Sequence, residues 1–205
     1  MNNRFFSLAA GAIILLSVSV FAQVHVRAGA VAGLGMFNEK TGGTVAPVYA
    51  MKIGMTAGVV LDVAYANMLI LETGAGYSQR GSQIEVDGGL TKHNLSYLAI
   101  PVHAKFKYAL LPVLSPFITA GINVGLLISA QQFDNGEYID IKSAYSSNDY
   151  GLDGGAGLEF NLTSATPYIE FVYYIGVPNI TKNPIGDNTT KNTGMEVKAG
   201  VKFKL

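Results

Sequence analysis

The sequence predicts an all-β protein, an eight-stranded antiparallel up-and-down β-barrel that crosses a membrane with its strands. Three observations predict it. The 205 residues include 24 glycines and only 14% charged residues, and mean hydropathy is +0.31, more apolar than an average soluble domain. After the amino-terminal segment no run of about 18 uncharged apolar residues occurs, so the hydrophobicity is not packaged in spanning helices. Instead, apolar residues recur at every second position in eight stretches, and the opposite face of each holds the charges and most of the glycines.

Residues 1–22 read as a signal peptide, with Arg4 in the charged region, an apolar stretch over 5–20 and Val20-Phe21-Ala22 as the small-residue cleavage site. The mature barrel domain is then 23–205. There is no cysteine, so there is no disulfide framework or thiolate metal site, which suits a bacterial envelope protein. A formal net charge of +0 leaves no basic footprint for nucleic acid.

The first strand, 24–37, alternates Val26, Ala28, Ala30, Ala32, Leu34 and Met36 with Arg27, Gly29, Gly33 and Gly35, and a polar connection over 38–44 follows. The second, 45–63, sets Tyr49, Met51, Ile53, Met55 and Val59 against Lys52, Gly54, Gly58 and Asp62. A short turn leads to the third, 68–80, where Leu69, Leu71 and Tyr77 oppose Glu72, Ser78 and Arg80. A loop over 81–93 carries an Asp87-Gly88-Gly89 turn signal. In the fourth strand, 94–108, Leu98, Ile100, Val102 and Phe106 oppose His103, Lys105 and Lys107, and Pro101, which cannot donate to a ladder, predicts a bulge or distorted register.

The fifth strand, 116–130, has Ile118, Ile122, Val124 and Leu126 against Thr119, Gly121, Asn123 and Gly125. The longest connection, 131–147, alternates apolar and charged residues about an Asn135-Gly136 turn, which predicts a hairpin. The sixth strand, 148–162, sets Tyr150, Leu152 and Phe160 against Asp149, Asp153 and Glu159. The seventh, 167–177, sets Ile169, Phe171 and Tyr173 against Tyr168, Glu170 and Tyr174, and a polar loop over 178–192 follows. The eighth, 193–205, alternates Met195, Val197, Ala199, Val201, Phe203 and Leu205 with Glu196, Lys198, Gly200 and Lys202. It is expected to pair with the first strand and close the ring.

No apolar face carries a charge. Glycine weakens a water-facing strand without gain, whereas small residues beside charges suit a narrow lumen. Tyr49, Tyr77, Tyr150 and Tyr173 toward the long loops, with Phe106, Tyr108, Phe160 and Phe203 toward the turns, are expected to form two interfacial girdles.

The lumen is expected to hold a charge network of Arg27, Lys52, Glu72, Lys105, Glu159, Glu170, Glu196, Lys198 and Lys202. Eight strands enclose room for side chains alone, so the lumen is expected to be closed. The three histidines, His25, His93 and His103, show no metal-ligand spacing, and no cofactor is expected. Ser78, Ser96 and Ser129 have no histidine neighbour at a catalytic spacing, and enzymatic activity is not expected. Phe133, Tyr138 and Tyr145 in the longest connection are candidates for recognising a surface partner.

Lys198, Gly200, Phe203 and Leu205 resemble the terminal signal by which bacterial outer-membrane barrels are recognised for insertion. The stretches Tyr97-Leu98-Ala99-Ile100-Pro101, Gly74-Ala75-Gly76-Tyr77-Ser78-Gln79-Arg80-Gly81 and Asp149-Tyr150-Gly151-Leu152-Asp153-Gly154-Gly155 resemble, in order and spacing, the PorT-like outer-membrane β-barrel family. Ala99 stands where that family often has glutamate. The resemblance implies an integral protein of the Gram-negative outer membrane, whose partners are membrane lipid and the barrel-assembly machinery. One family member is linked to protein secretion. A narrow channel or accessory secretion component, and a lipid-modifying barrel enzyme, stay open as alternatives.

Overall fold

The computed structural model describes residues 24–43, 49–65, 68–86, 89–134, 136–184 and 186–205. The expected signal peptide lies outside them, as do Asp87, Gly88 and Asn135 of the two expected turns. The strands are β1 (Val24–Gly42), β2 (Ala50–Tyr65), β3 (Leu69–Arg80), β4 (Ser82–Val86), β5 (Gly89–Lys107), β6 (Leu114–Asp134), β7 (Glu137–Asp140), β8 (Asn148–Phe160), β9 (Thr166–Gly176) and β10 (Thr189–Lys204). β4 prolongs β3 beyond Gly81 (φ 116°), and β7 folds back on β6 as a short arm, so the wall is a ring of eight antiparallel strands. β10 pairs back on β1 from Arg27↔Lys204 to Gly42↔Thr189 and closes it. Closure leaves the wall without a free edge, as hydrocarbon requires, because an unpaired backbone group there costs several kcal/mol.

Strand alternation sorts the side chains as the sequence predicts. Leu34 (61% exposed), Ile53 (69%) and Ile118 (60%) stand on an outer surface that is apolar around the wall. A surface of that kind is far larger than the apolar patches soluble proteins expose, and lipid is its natural solvent. Inside, Asp62, Lys105, Glu159 and Lys202 are buried.

The strands outrun their predicted limits. β6 has 21 residues and β5 has 19, about twice the 9–11 that cross a bilayer. The expected connections over 38–44 and 81–93 are largely strand: Asn38 to Gly42 pair with Thr193 to Thr189, and Gln83 to Val86 pair with Lys92 to Gly89. Above the membrane a ladder continues through polar residues, and hydrophobic alternation, the signal for its length, ends at the lipid surface.

At Pro101 the ladder to β3 is interrupted, but neither the expected bulge nor a change of register occurs. Pro101 stays in register with Asn123, while on its other side Thr73↔Val102 and Gly76↔Ala99 bracket the interruption in the ladder, and Thr73 Oγ1 donates to the Pro101 carbonyl at 2.8 Å. The register shift falls instead between Ser96 and Tyr97. Beyond it Leu127 and Ala130 both turn inward and join Leu95, Tyr97, Tyr145 and Ile180 in an apolar cluster at the long-loop end of the lumen. Of the expected girdle residues, Tyr77, Tyr150, Tyr173, Phe106, Tyr108, Phe160 and Phe203 are exposed on the wall. Tyr49 is not among them; it precedes β2 and its ring lies 5.5 Å from that of His93.

Candidate functional site

Among the described residues the lumen concentrates buried charge. Register decides who meets whom there. Arg27 stands opposite Asp62, Asp62 opposite Glu72, Glu72 opposite His103, and across Gly121 the same rung reaches Asp153. Asp62 and Glu72 are like charges side by side, which is unfavourable alone. Lys202 reaches across from β10 and donates to Asp62 Oδ1 at 2.9 Å and to Glu72 Oε2 at 2.6 Å.

Glu159 is the other hub. Lys105 Nζ lies 2.6 Å from its Oε1, while Arg27 Nη1 and Lys107 Nζ each lie 3.1 Å from its Oε2. Arg27 also donates to Asp62 at 2.6 Å, and Lys105 to Glu72 at 3.2 Å. Aromatic faces complete the layer, with Lys105 Nζ 3.7 Å from the Phe117 ring centre and Lys202 Nζ 4.4 Å from that of Tyr168. Every charge in this buried layer has an opposite charge and a hydrogen-bond partner, the condition under which buried ions are tolerated.

Farther along the lumen the pairs are sparser. His103 Nε2 meets Asp153 at 2.7 Å, Asn123 donates to the same carboxylate at 3.1 Å, and Thr119 donates to Glu170 at 2.7 Å. Lys198 and Glu196, neighbours on one face of β10, pair at 3.0 Å beside a cavity of about 50 Å³. Arg80 bonds Asp149 at 2.8 Å and lies 4.2 Å over Tyr174 and 5.1 Å over Tyr97, while Asn192 donates to Asp149 at 2.9 Å and to the Tyr97 hydroxyl at 3.2 Å. The apolar cluster around Leu95 lies next. Beside it Glu39 accepts from Ser82 and meets His93 Nδ1 at 2.7 Å.

Of the nine residues expected in the network, Arg27, Glu72, Lys105, Glu159 and Lys202 converge in one layer. Glu170 and the Glu196–Lys198 pair lie apart from it, and Lys52, near the long-loop end, has no hydrogen-bond partner for its Nζ among the described residues. Asp62, Lys107, His103, Asp153, Arg80, Asp149 and Glu39 are the members that sequence reasoning left out. Six of them were already on polar strand faces, and register supplies the reason to include them. Glu39 sat in a predicted loop and gave no such signal.

The loop candidates separate. Phe133 and Tyr138 pack together on the β6–β7 arm with ring centres 5.0 Å apart, and Tyr138 is exposed. Tyr145 is a correction: it is buried, bridges Thr181 and packs in the apolar cluster, its hydroxyl 3.0 Å from His93 Nδ1. Burial, with Glu39 nearby, holds its phenol well above the usual range. It is a packing residue, because an aromatic at a loop's anchoring point has a core to reach. Lys198, Gly200, Phe203 and Leu205 lie on or at the end of β10, with Phe203 on the outer wall and Leu205 N donating to the Val26 carbonyl at 3.0 Å. His103 engages Asp153 and Glu72, and among the described residues no serine is hydrogen-bonded to it.

The pattern that defines the outer membrane protein beta-barrel domain matches residues 19–182. The chain belongs to that family, whose place is the bacterial outer membrane. Two solved structures are similar in fold. Neisserial surface protein A is 14% identical with a TM-score of 0.54, over 89% of this chain and 97% of that one. OprG of Pseudomonas aeruginosa is 15% identical with a TM-score of 0.52, over 89% and 95%. Comparison with curated proteins gives no match.

Proposed function

We propose that this chain is a non-enzymatic, non-conducting barrel of the PorT-like kind, exported by its signal peptide, whose closed lumen makes it a rigid mount for external loops that contact a surface or secretion partner. The single observation that carries the reading is the layer around Glu159, Asp62 and Glu72. An ion entering there would have to displace partnered charges at 2.6–3.2 Å and shed its own water, and both steps are costly. The apolar cluster of Leu95, Leu127 and Ile180 seals the other end. Beyond it the β6–β7 arm offers Phe133 and Tyr138. In planar bilayers the reconstituted protein is expected to show no steady single-channel conductance; steady conductance would overturn the closed-lumen reading and favour a channel.

The same reading makes the carboxyl end an address for the assembly machinery. Removing Phe203 to Leu205 deletes an outward aromatic and the Leu205–Val26 hydrogen bond while sparing most of the β1–β10 ladder. Membrane insertion in cells is expected to fall severalfold, while refolding from urea into detergent changes little. Equal losses in both assays would show that the residues serve stability alone.

A further inference from the structure

The outer wall is irregular at the long-loop end. The β1–β2 ladder stops at Phe37↔Lys52, and β2 passes from β4 at Met51↔Ser82 to β3 at Thr56↔Ser78, so that 52–55 oppose 79–81. At this break lies a cavity of about 570 Å³. One side is apolar: Met36, Met51 and Ile53 line it and are exposed on the lipid-facing wall. The other side is polar, with Lys52, Lys92, Gln83 and Asn94, and Tyr138 of the β6–β7 arm stands at its border.

Lys52 is the anomaly. It is 7% exposed, and its Nζ has no hydrogen-bond partner among the described residues. Arg27, Arg80, Lys105, Lys107, Lys198 and Lys202, by contrast, each pair with a carboxylate. The nearby carboxylate of Glu39 bonds Ser82 and His93 and forms no ion pair with Lys52. Lys92 adds a second ammonium to the same cavity. A buried cation without a partner is costly, and two sharing one cavity call for an anion between them.

The cavity's chemistry selects among anions. Two ammonium groups with side-chain amides suit a group with several acceptor oxygens, and a phosphate offers them. The methionine and isoleucine flank continues the hydrocarbon-facing surface, so a soluble anion would leave it uncovered. An acyl chain covers it.

We propose that this cavity binds the phosphorylated headgroup of a lipid in the leaflet at the long-loop end, with Lys52 and Lys92 at the phosphate and Met36, Met51 and Ile53 along the first methylene groups. The site lies where the outer wall meets the long-loop end of the lumen, into which Lys52 turns, and does not depend on whether the loops contact a protein.

The test uses the full mature barrel refolded in a neutral detergent and titrated with a diphosphorylated glycolipid of the lipid A type, its dephosphorylated form, and inorganic phosphate, with bound lipid read by native mass spectrometry. The phosphorylated lipid is expected to bind at least tenfold more tightly than the dephosphorylated form, and Lys52→Met with Lys92→Met to abolish that preference. Inorganic phosphate is expected to compete only weakly. Lys52→Met replaces an unpartnered buried cation with an apolar side chain, so folding is expected to persist, with an unchanged or raised unfolding midpoint. An equal preference in the double variant, or equal binding of both lipids, would overturn the proposal. Strong binding of inorganic phosphate with no added affinity for the lipid would also overturn it, since the acyl flank would then be idle.

Discussion

Replacing Glu159 with glutamine is expected to lower the unfolding free energy of the barrel by roughly 3–5 kcal/mol, the usual consequence of removing one partner from a buried ion network. Three cations lie within 3.1 Å of this carboxylate, and Lys202 within 3.7 Å. The amide keeps the shape and loses the charge, so Arg27, Lys105, Lys107 and Lys202 are left facing Asp62 and Glu72 alone. Urea titration in lipid vesicles, followed by the mobility difference between heated and unheated samples, measures the loss. The cause is charge imbalance, so a second substitution, Lys107→Met, removes the surplus cation and is expected to restore part of the stability. Lys107 is the cation of choice because it bonds Glu159 only, whereas Lys105 and Lys202 also hold Glu72. A double variant no more stable than Glu159→Gln would mean that lost hydrogen bonding outweighs the charge. The single variant also has a second readout, because repulsion among the remaining cations loosens the layer that closes the lumen. Transient conductance in this variant, absent from the parent, is the expected accompaniment.

How this layer could be read from sequence, and where reading stopped, follows from the physics of strands. Alternation has period two, so each inward charge identifies its own face without help from any neighbour. Arg27, Glu72, Lys105, Glu159 and Lys202 were legible for that reason. Alternation carries no register, and register sets Asp62 beside Glu72 and makes Lys202 the bridge between them. The convergence of five residues and the separation of Lys52, Glu170 and the Glu196–Lys198 pair were therefore outside its reach. Strand ends failed for a related reason. Glu39 and the residues of β4 belong to ladders that rise above the lipid, where no hydrophobic contrast marks them. Tyr145 failed in the opposite sense: its loop is polar in composition but is pinned by the bridge to Thr181, and it packs in an apolar cluster to which the register shift at Ser96 and Tyr97 adds both Leu127 and Ala130. A one-residue irregularity of that kind leaves no pattern in the sequence.

Introducing valine at Gly29 is expected to abolish formation of the folded band, an effect at least as large as the loss at Glu159. Gly29 stands opposite Lys202 on β10 and Val60 on β2, at the seam where the ring closes. A Cβ on Gly29 would come within 2.0 Å of the Val201 carbonyl oxygen and 2.8 Å of the Lys202 Cα. Both are backbone atoms of the neighbouring strand, so rotamer changes give no relief. Gly125 differs, because its added Cβ would meet the Tyr97 ring first, at 3.1 Å, with the nearest backbone oxygen at 3.5 Å, and a ring can tilt. Ordinary overpacking costs about 1–3 kcal/mol when side chains absorb it. At Gly29 the strands themselves must separate, and a parted seam exposes backbone groups to hydrocarbon at several kcal/mol each. Ala30→Val is the matched control: the same strand, the next residue, an added volume on an exposed position of the outer wall, and a β-branched side chain that strands accommodate. Refolding yield on unheated gels is expected to stay near the parent for Ala30→Val and to fall to background for Gly29→Val, with Gly29→Ala between them. Normal folding of Gly29→Val would show that β1 and β10 can slide past this contact, and that the lumen glycines make room for side chains instead of letting strands approach.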